Sequence, residues 1–224
     1  MAERLDTAAI LSAWQTGQGR APLDRALALL WAAGTDGAAD LTLAERDRHL
    51  LQVHRATFGG RLDLVCDCPE CGETLEVSLE AAALAEALEL PAPVPLPDGQ
   101  ALRDPTSRDL AAVLDAADAT AALRHRLTGG ATLSVEAAQV ADTAIEARAA
   151  ATETTLRLSC DACGCEWTDF VDVPAIVWAR VEGAAERALA ETARLAAAFG
   201  WAEAEILAMN PVRRQAYLDL AGTP

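Results

Sequence analysis

Two periodicities alternate along this chain. Apolar residues first recur at helical spacing, over 5–14 and again over 22–33. In "APLDRALALLWAA", Leu23, Ala26, Leu27, Leu30 and Trp31 fall on one side. The turn "GTDGAAD" breaks that pattern. Thr42-Leu43-Ala44-Glu45 is a capping box and opens a third helix running to about Thr57. Its apolar stripe takes in Leu43, Leu50 and Val53, with His54 alongside, and Phe58-Gly59-Gly60 ends it. The period then drops to two. Leu62, Leu64 and Cys66 face one way, and Leu75, Val77 and Leu79 alternate again after Cys68-Pro69-Glu70-Cys71-Gly72, which predicts a β-hairpin with a cysteine tip.

Residues 80–90 return to helix. "PAPVPLP" at 91–97 holds too many prolines for a helix or an inner strand and reads as a stiff extended connector. A short strand at 100–103 follows, then helices from Thr106, where Thr106-Ser107-Arg108-Asp109 is a weaker capping box. Another helix runs from Ser134 to about 150. "TTLRLSCDACGCEWTDFVDV" repeats the earlier alternation in and out of a Cys-x-x-Cys-Gly turn, predicting a second hairpin. From Pro174 to Phe199 the pattern is one long helix with Val177, Val181, Ala184, Ala188, Leu195 and Phe199 as its stripe. Gly200 stops it, a short helix spans 202–208, and Asn210-Pro211 caps a last helix ending near Leu220.

Composition sharpens this outline. With 52% hydrophobic but only 4% aromatic residues, the core must be built from Ala, Leu and Val, which favours helix. No apolar run approaches the ~20 residues needed to span a bilayer, and "AERLD" after Met1 is not a secretory leader. A soluble protein made in the cytoplasm is expected. The formal net charge is −16, and all 18 basic residues are Arg. Such a surface repels phosphate backbones and anionic membranes, so neither nucleic acid nor membrane is an expected partner. The adjacent pair Arg213-Arg214 reads as a solvated helix face.

Six cysteines lie in two tight groups, at 66, 68, 71 and at 160, 163, 165, which suggests metal binding rather than a disulfide framework. Cys68, Cys71, Cys160 and Cys163 are the candidate ligands. Two intervening residues let both sulfurs of one turn point at a common ion, and the glycine after each pair tolerates the positive φ that ends such a turn. Two such turns complete an all-sulfur tetrahedral site suited to structural Zn²⁺. The 88 residues between the pairs do not forbid closure. Loop entropy grows only logarithmically, whereas a structural zinc contributes on the order of 10–16 kcal/mol in small domains.

Separate thiol pairs, disulfides and a redox Cys-x-x-Cys remain as alternatives. A redox pair prefers a helix N-terminus, and a catalytic zinc needs an open position; His49, His54 and His125 lie outside ligand spacing. Cys165 competes with Cys163, which is preferred because "CDACG" copies "CPECG", and Cys66 reads as a small core residue. No catalytic triad, phosphate loop or carboxylate pair stands out, so neither enzyme activity nor a small-molecule substrate is expected.

Three stretches carry a resemblance: "LAERDRHLLQVHRATFGGRLDLVCDCPECGETLEVSL", "LRDPTSRDLAAV" with the second cysteine hairpin, and "FGWAEAEILAMNPVRRQAYLDL". Together they resemble small proteins of contractile phage tails and phage-tail-like injection systems, similar to the T-even phage baseplate group with its hub-associated and assembly-promoting members. The resemblance spans roughly 22–221 and is thinnest over the connector and 130–150. It implies a non-enzymatic role in building the baseplate, with baseplate or hub proteins as partners and Cys68, Cys71, Cys160 and Cys163 as ligands. The runner-up is a cytoplasmic zinc-ribbon adaptor or regulator acting through protein contacts.

The expected fold is α+β and mostly α, built around a discontinuous zinc-ribbon-like pair of hairpins. Its parts are an N-terminal helical region (1–60), the first hairpin (61–80), a helical insertion with its connector (81–153), the second hairpin (154–173) and a C-terminal helical region (174–224). Trp201, Ile206, Leu207 and Tyr217 either dock on a partner or pack back on the long helix.

Overall fold

The computed structural model describes residues 4–88, 92–152 and 154–222. Helices carry most of the chain, and the strands come as three separate two-stranded sheets, so the fold is α+β and mostly α. α1 (Thr7–Gly17) begins later than the 5–14 pattern suggests because Asp6 is its cap, accepting the Ala9 N–H. α2 (Pro22–Ala32) starts on a proline whose missing N–H costs nothing at that position. It buries Ala26, Leu27, Ala28, Leu29 and Leu30 but leaves Trp31 55% exposed, against the expected stripe. The buried arc of α2 is centred on Leu29–Leu30, one position earlier than the pattern suggests.

A short 3-10 turn (Ala38–Asp40) leads to α3 (Leu43–Phe58). Its capping box is complete. The Glu45 N–H donates to Thr42 Oγ1 at 3.3 Å, and the Thr42 N–H donates to Glu45 Oε2 at 2.9 Å. α3 buries Ala44, Arg46, Leu50, Leu51, Val53 and His54, while Leu43 is half-buried.

β1 (Arg61–Asp67) and β2 (Thr74–Glu80) pair antiparallel with Leu62 opposite Leu79, Leu64 opposite Val77 and Cys66 opposite Leu75. The period-two reading therefore gave the face of each strand, and the pairing adds the register. α4 (Ala81–Ala87) follows, and residues 89–91 of the expected helix and connector lie outside the described residues. The rest of "PAPVPLP" is more than a spacer. Val94–Pro95 (β3) pairs with Ala101–Leu102 (β4), and Leu96 is buried. Proline is tolerated because a two-residue ladder is all edge.

α5 (Ser107–Val113), α6 (Ala119–Leu127) and α7 (Val135–Thr152) complete the insertion, which has a small core of its own: Leu96, Leu102, Leu127, Ala137 and Ala141. α5 opens on a full Thr106–Asp109 box. Asp109 also accepts from Arg103 and Arg126, three partners for one buried carboxylate.

β5 (Thr155–Ser159) and β6 (Glu166–Phe170) form the second hairpin and lead into α8 (Val173–Phe199), which packs on α1, α2 and α3. The main core joins these helices to the foot of the first hairpin through Leu29, Leu50, Leu62, Val177 and Val181. On α8 the buried stripe runs Val177, Val181, Ala185, Ala188, Thr192 and Leu195. Ala184 is only half-buried, and Phe199 is exposed and stacks on Trp201.

Gly200, left-handed at φ 71°, stops α8. α9 (Glu203–Leu207) and α10 (Pro211–Ala221) then fold back on it. Ile206, Leu195 and Leu218 form a third apolar cluster, flanked by Trp201 and Tyr217. Of the two expectations for this segment, packing on the long helix is the one observed. Arg214 is not solvated either: it is buried, paired with Glu191 on α8 at 3.2 Å, with Thr7 Oγ1 at 3.5 Å.

Candidate metal centre

Each hairpin ends in the same turn, made by the same two hydrogen bonds. In the first, the Cys68 N–H donates to the Glu73 carbonyl (2.8 Å) and the Gly72 N–H to the Cys68 carbonyl (2.9 Å). In the second, the Cys160 N–H donates to the Cys165 carbonyl (2.9 Å) and the Gly164 N–H to the Cys160 carbonyl (2.8 Å). Gly72 and Gly164 take φ of 72° and 75°, a conformation that a side chain would strain. Cys68 thus corresponds to Cys160, Cys71 to Cys163, and Glu73 to Cys165.

The two turns meet tip to tip. Cys68 Sγ lies 3.6 Å from Cys163 Sγ, and Cys71 Sγ lies 3.6 Å from Cys160 Sγ; all four sulfurs are within 4.8 Å of one another. None is in a disulfide. Sulfurs at about 2.3 Å from a tetrahedral ion stand about 3.8 Å apart, so the cluster has the size of a four-thiolate site. One cysteine of each turn, Cys68 or Cys160, is buried, and the other, Cys71 or Cys163, is exposed. The four residues singled out from spacing are therefore the four that the fold brings together, positioned to bind a metal ion.

The electrostatics favour an anionic sulfur at Cys68. Backbone N–H groups of Cys71 and Glu70 point at Cys68 and bring its thiol down to about 6, against the opposing effect of desolvation. At Cys71 the Glu73 N–H acts the same way but is outweighed by the neighbouring sulfurs and desolvation, which push the thiol up to about 12. Cys163 is also raised, although the Cys165 N–H opposes the rise. Neighbouring thiolates repel one another when no cation lies among them. A divalent ion held by the four sulfurs would supply the balancing positive charge.

The remaining two cysteines have other surroundings. Cys165 occupies the place of Glu73, so its carbonyl closes the turn while its thiol stays outside the cluster, raised by desolvation and then by the charge of Cys68. Cys66 is half-buried on the inner face of β1, and its thiol is raised by desolvation and then by Asp169 of the other hairpin. His49 Nδ1 donates to the Glu45 carbonyl (2.8 Å), and His54 lies in the core, so neither belongs to the sulfur cluster.

Spacing gave no warning of a second feature. An apolar cavity of about 300 Å³ lies between the first turn of α3 and the insertion. Its rim carries an Arg148–Asp104 ion pair, made by residues 44 positions apart in the chain. Leu110, Leu123 and Leu127, which line the cavity, come from two separate helices, and no local pattern encodes the gap between them. No protein family, curated protein or solved structure matches the chain.

Proposed function

We propose that this protein is a non-enzymatic structural or assembly component of the baseplate of a contractile phage tail or phage-tail-like injection system. In this reading Zn²⁺ held by Cys68, Cys71, Cys160 and Cys163 acts as a structural clamp. The observation that carries the clamp is the closed ring of four sulfurs from two matching turns 88 residues apart. A four-thiolate donor set fills a tetrahedral ion and leaves no position for a substrate, and soft sulfur favours zinc over hard cations. The ion supplies only charge and geometry.

The chain's own residues do the rest. β1–β2 continues from α3 and β6 runs into α8, so fastening the hairpin tips holds the N-terminal helices and the long helix to one ribbon. The baseplate assignment rests on the resemblance of the three stretches quoted above, with baseplate or hub proteins as partners. The acidic surface supports protein rather than nucleic-acid contacts.

Two measurements test the proposal. Elemental analysis of the purified protein should give one zinc per chain, and the Cys68→Ser/Cys160→Ser variant should lose it; undiminished zinc in the variant overturns the shared site. For the assembly role, deletion of the gene should abolish intact particles. The presence of the chain in purified particles marks a permanent subunit, and its absence from them marks an assembly factor. Normal particles without it, together with no co-purification of baseplate proteins, favour the adaptor reading instead.

A further inference from the structure

We infer that the cavity between α3 and the insertion is a binding site for a neutral, largely apolar small molecule, independent of both the metal and the baseplate role. Leu43 of α3 faces Leu102, Leu110, Leu123, Leu127 and Ile145 of the insertion across about 300 Å³. The insertion has only a small core of its own. Among the described residues that core holds five buried side chains, two of them alanine, with Val94, Leu123, Leu133, Ala144 and Ile145 half-buried against them, and neither a disulfide nor the sulfur cluster reaches it. A unit this small normally needs a further source of stability.

The rim sets the ligand's charge. Arg148 is paired with Asp104, Arg103 donates twice to Asp109 (2.5 and 2.9 Å), and Thr42 is engaged with Glu45. The cationic and anionic groups therefore satisfy one another, and an added ion would have to break a pair to find a partner. An apolar cavity of about 150 Å³ in another protein stays dry and takes up benzene. Twice that volume suits a fused bicycle or a ring bearing a short chain. None of the described residues lining it offers a nucleophile or an unpaired acid or base, so the molecule is a ligand and not a substrate. Since the walls come from both α3 and the insertion, an occupant also fastens the insertion to the main body.

Thermal unfolding and saturation-transfer NMR on the full, metal-loaded chain test this, with indole as neutral probe and indole-3-acetate as its anionic analogue. Indole should raise the Tm saturably and show one binding site, with the acetate at least tenfold weaker. Ile145→Trp fills the cavity and should remove indole binding while keeping the Tm at or above that of the unliganded parent; Leu123→Trp provides the same test should the first variant fail to fold. No binding of indole, equal binding of the anion, or unchanged binding by a folded filled variant overturns the inference.

Discussion

His54 shows how a single side chain can report on the core. It is 0% exposed, neither ring nitrogen has a hydrogen-bond partner, and its ring lies against Phe58 with centroids 5.5 Å apart. Burial, followed by the positive charge of Arg180, lowers its pKa below the usual 6.5, against the opposing charge of Asp63. The folded state therefore binds fewer protons than the unfolded chain. Its contribution is fully present above pH 6.5 and is lost as pH falls below that value. Urea unfolding at pH 7.5 and 5.5 should show His54→Leu more stable than the parent by about 1 kcal/mol at the higher pH, with a larger advantage at the lower. An equal pH dependence in the two proteins sinks the assignment. The same scale explains what could be read from residues alone. Cys163 was distinguishable from Cys165 because a five-residue pattern is repeated, and the repeat carries its hydrogen bonds with it. Arg214 was misread because its partners, Glu191 and Thr7, come from distant elements, and no local pattern encodes them.

Where α1 crosses α8, two glycines have opposite prospects. A Cβ at Gly17 would sit 2.3 Å from Trp178 Cη2, a ring buried in the core with Arg25 stacked over it at 5.1 Å. The ring cannot retreat, so Gly17→Ala should cost roughly 1–3 kcal/mol in chemical denaturation despite alanine's better helix propensity. Gly183, inside α8, would meet only the end of Arg187 at 3.3 Å, a flexible group. Gly183→Ala should instead gain up to about 1 kcal/mol. A stable Gly17→Ala protein would mean that the crossing is looser than described. Elements with local punctuation were the legible ones: α3 and α5 by their boxes, α8 by Gly200 and α10 by Asn210-Pro211. The two-residue ladder was legible only by half: β4 falls in the strand expected at 100–103, whereas β3 lies in the stretch read as a connector. The ladder's stability comes from Leu96 and Leu102 entering the insertion core, a tertiary effect that proline content masks.

For the whole molecule, the sulfur cluster and the two larger cores divide the labour. The main core packs α8 on α1–α3 with none of the four sulfurs in it, while the hairpins bury little apolar surface above Leu62 at the foot of the first, so an ion held by the sulfurs would be the main fastening of their tips. An isolated two-stranded hairpin is marginal in water. Removing the metal with a strong chelator should therefore abolish amide-exchange protection in β1–β2 and β5–β6 and loosen the first turns of α8. Amides around Leu102, Leu127 and Ala141, in the insertion, should keep theirs. Uniform loss across all three regions would show one cooperative unit instead. The separation of the two turns also has a consequence in time. During synthesis the first turn leaves the ribosome with two thiols and no partner, and the second follows only after 88 more residues. At typical elongation rates that is roughly 4–18 s. Throughout it Cys68 and Cys71 stand without their two partner sulfurs, so a shared four-thiolate site would form only once Cys160 and Cys163 have been made.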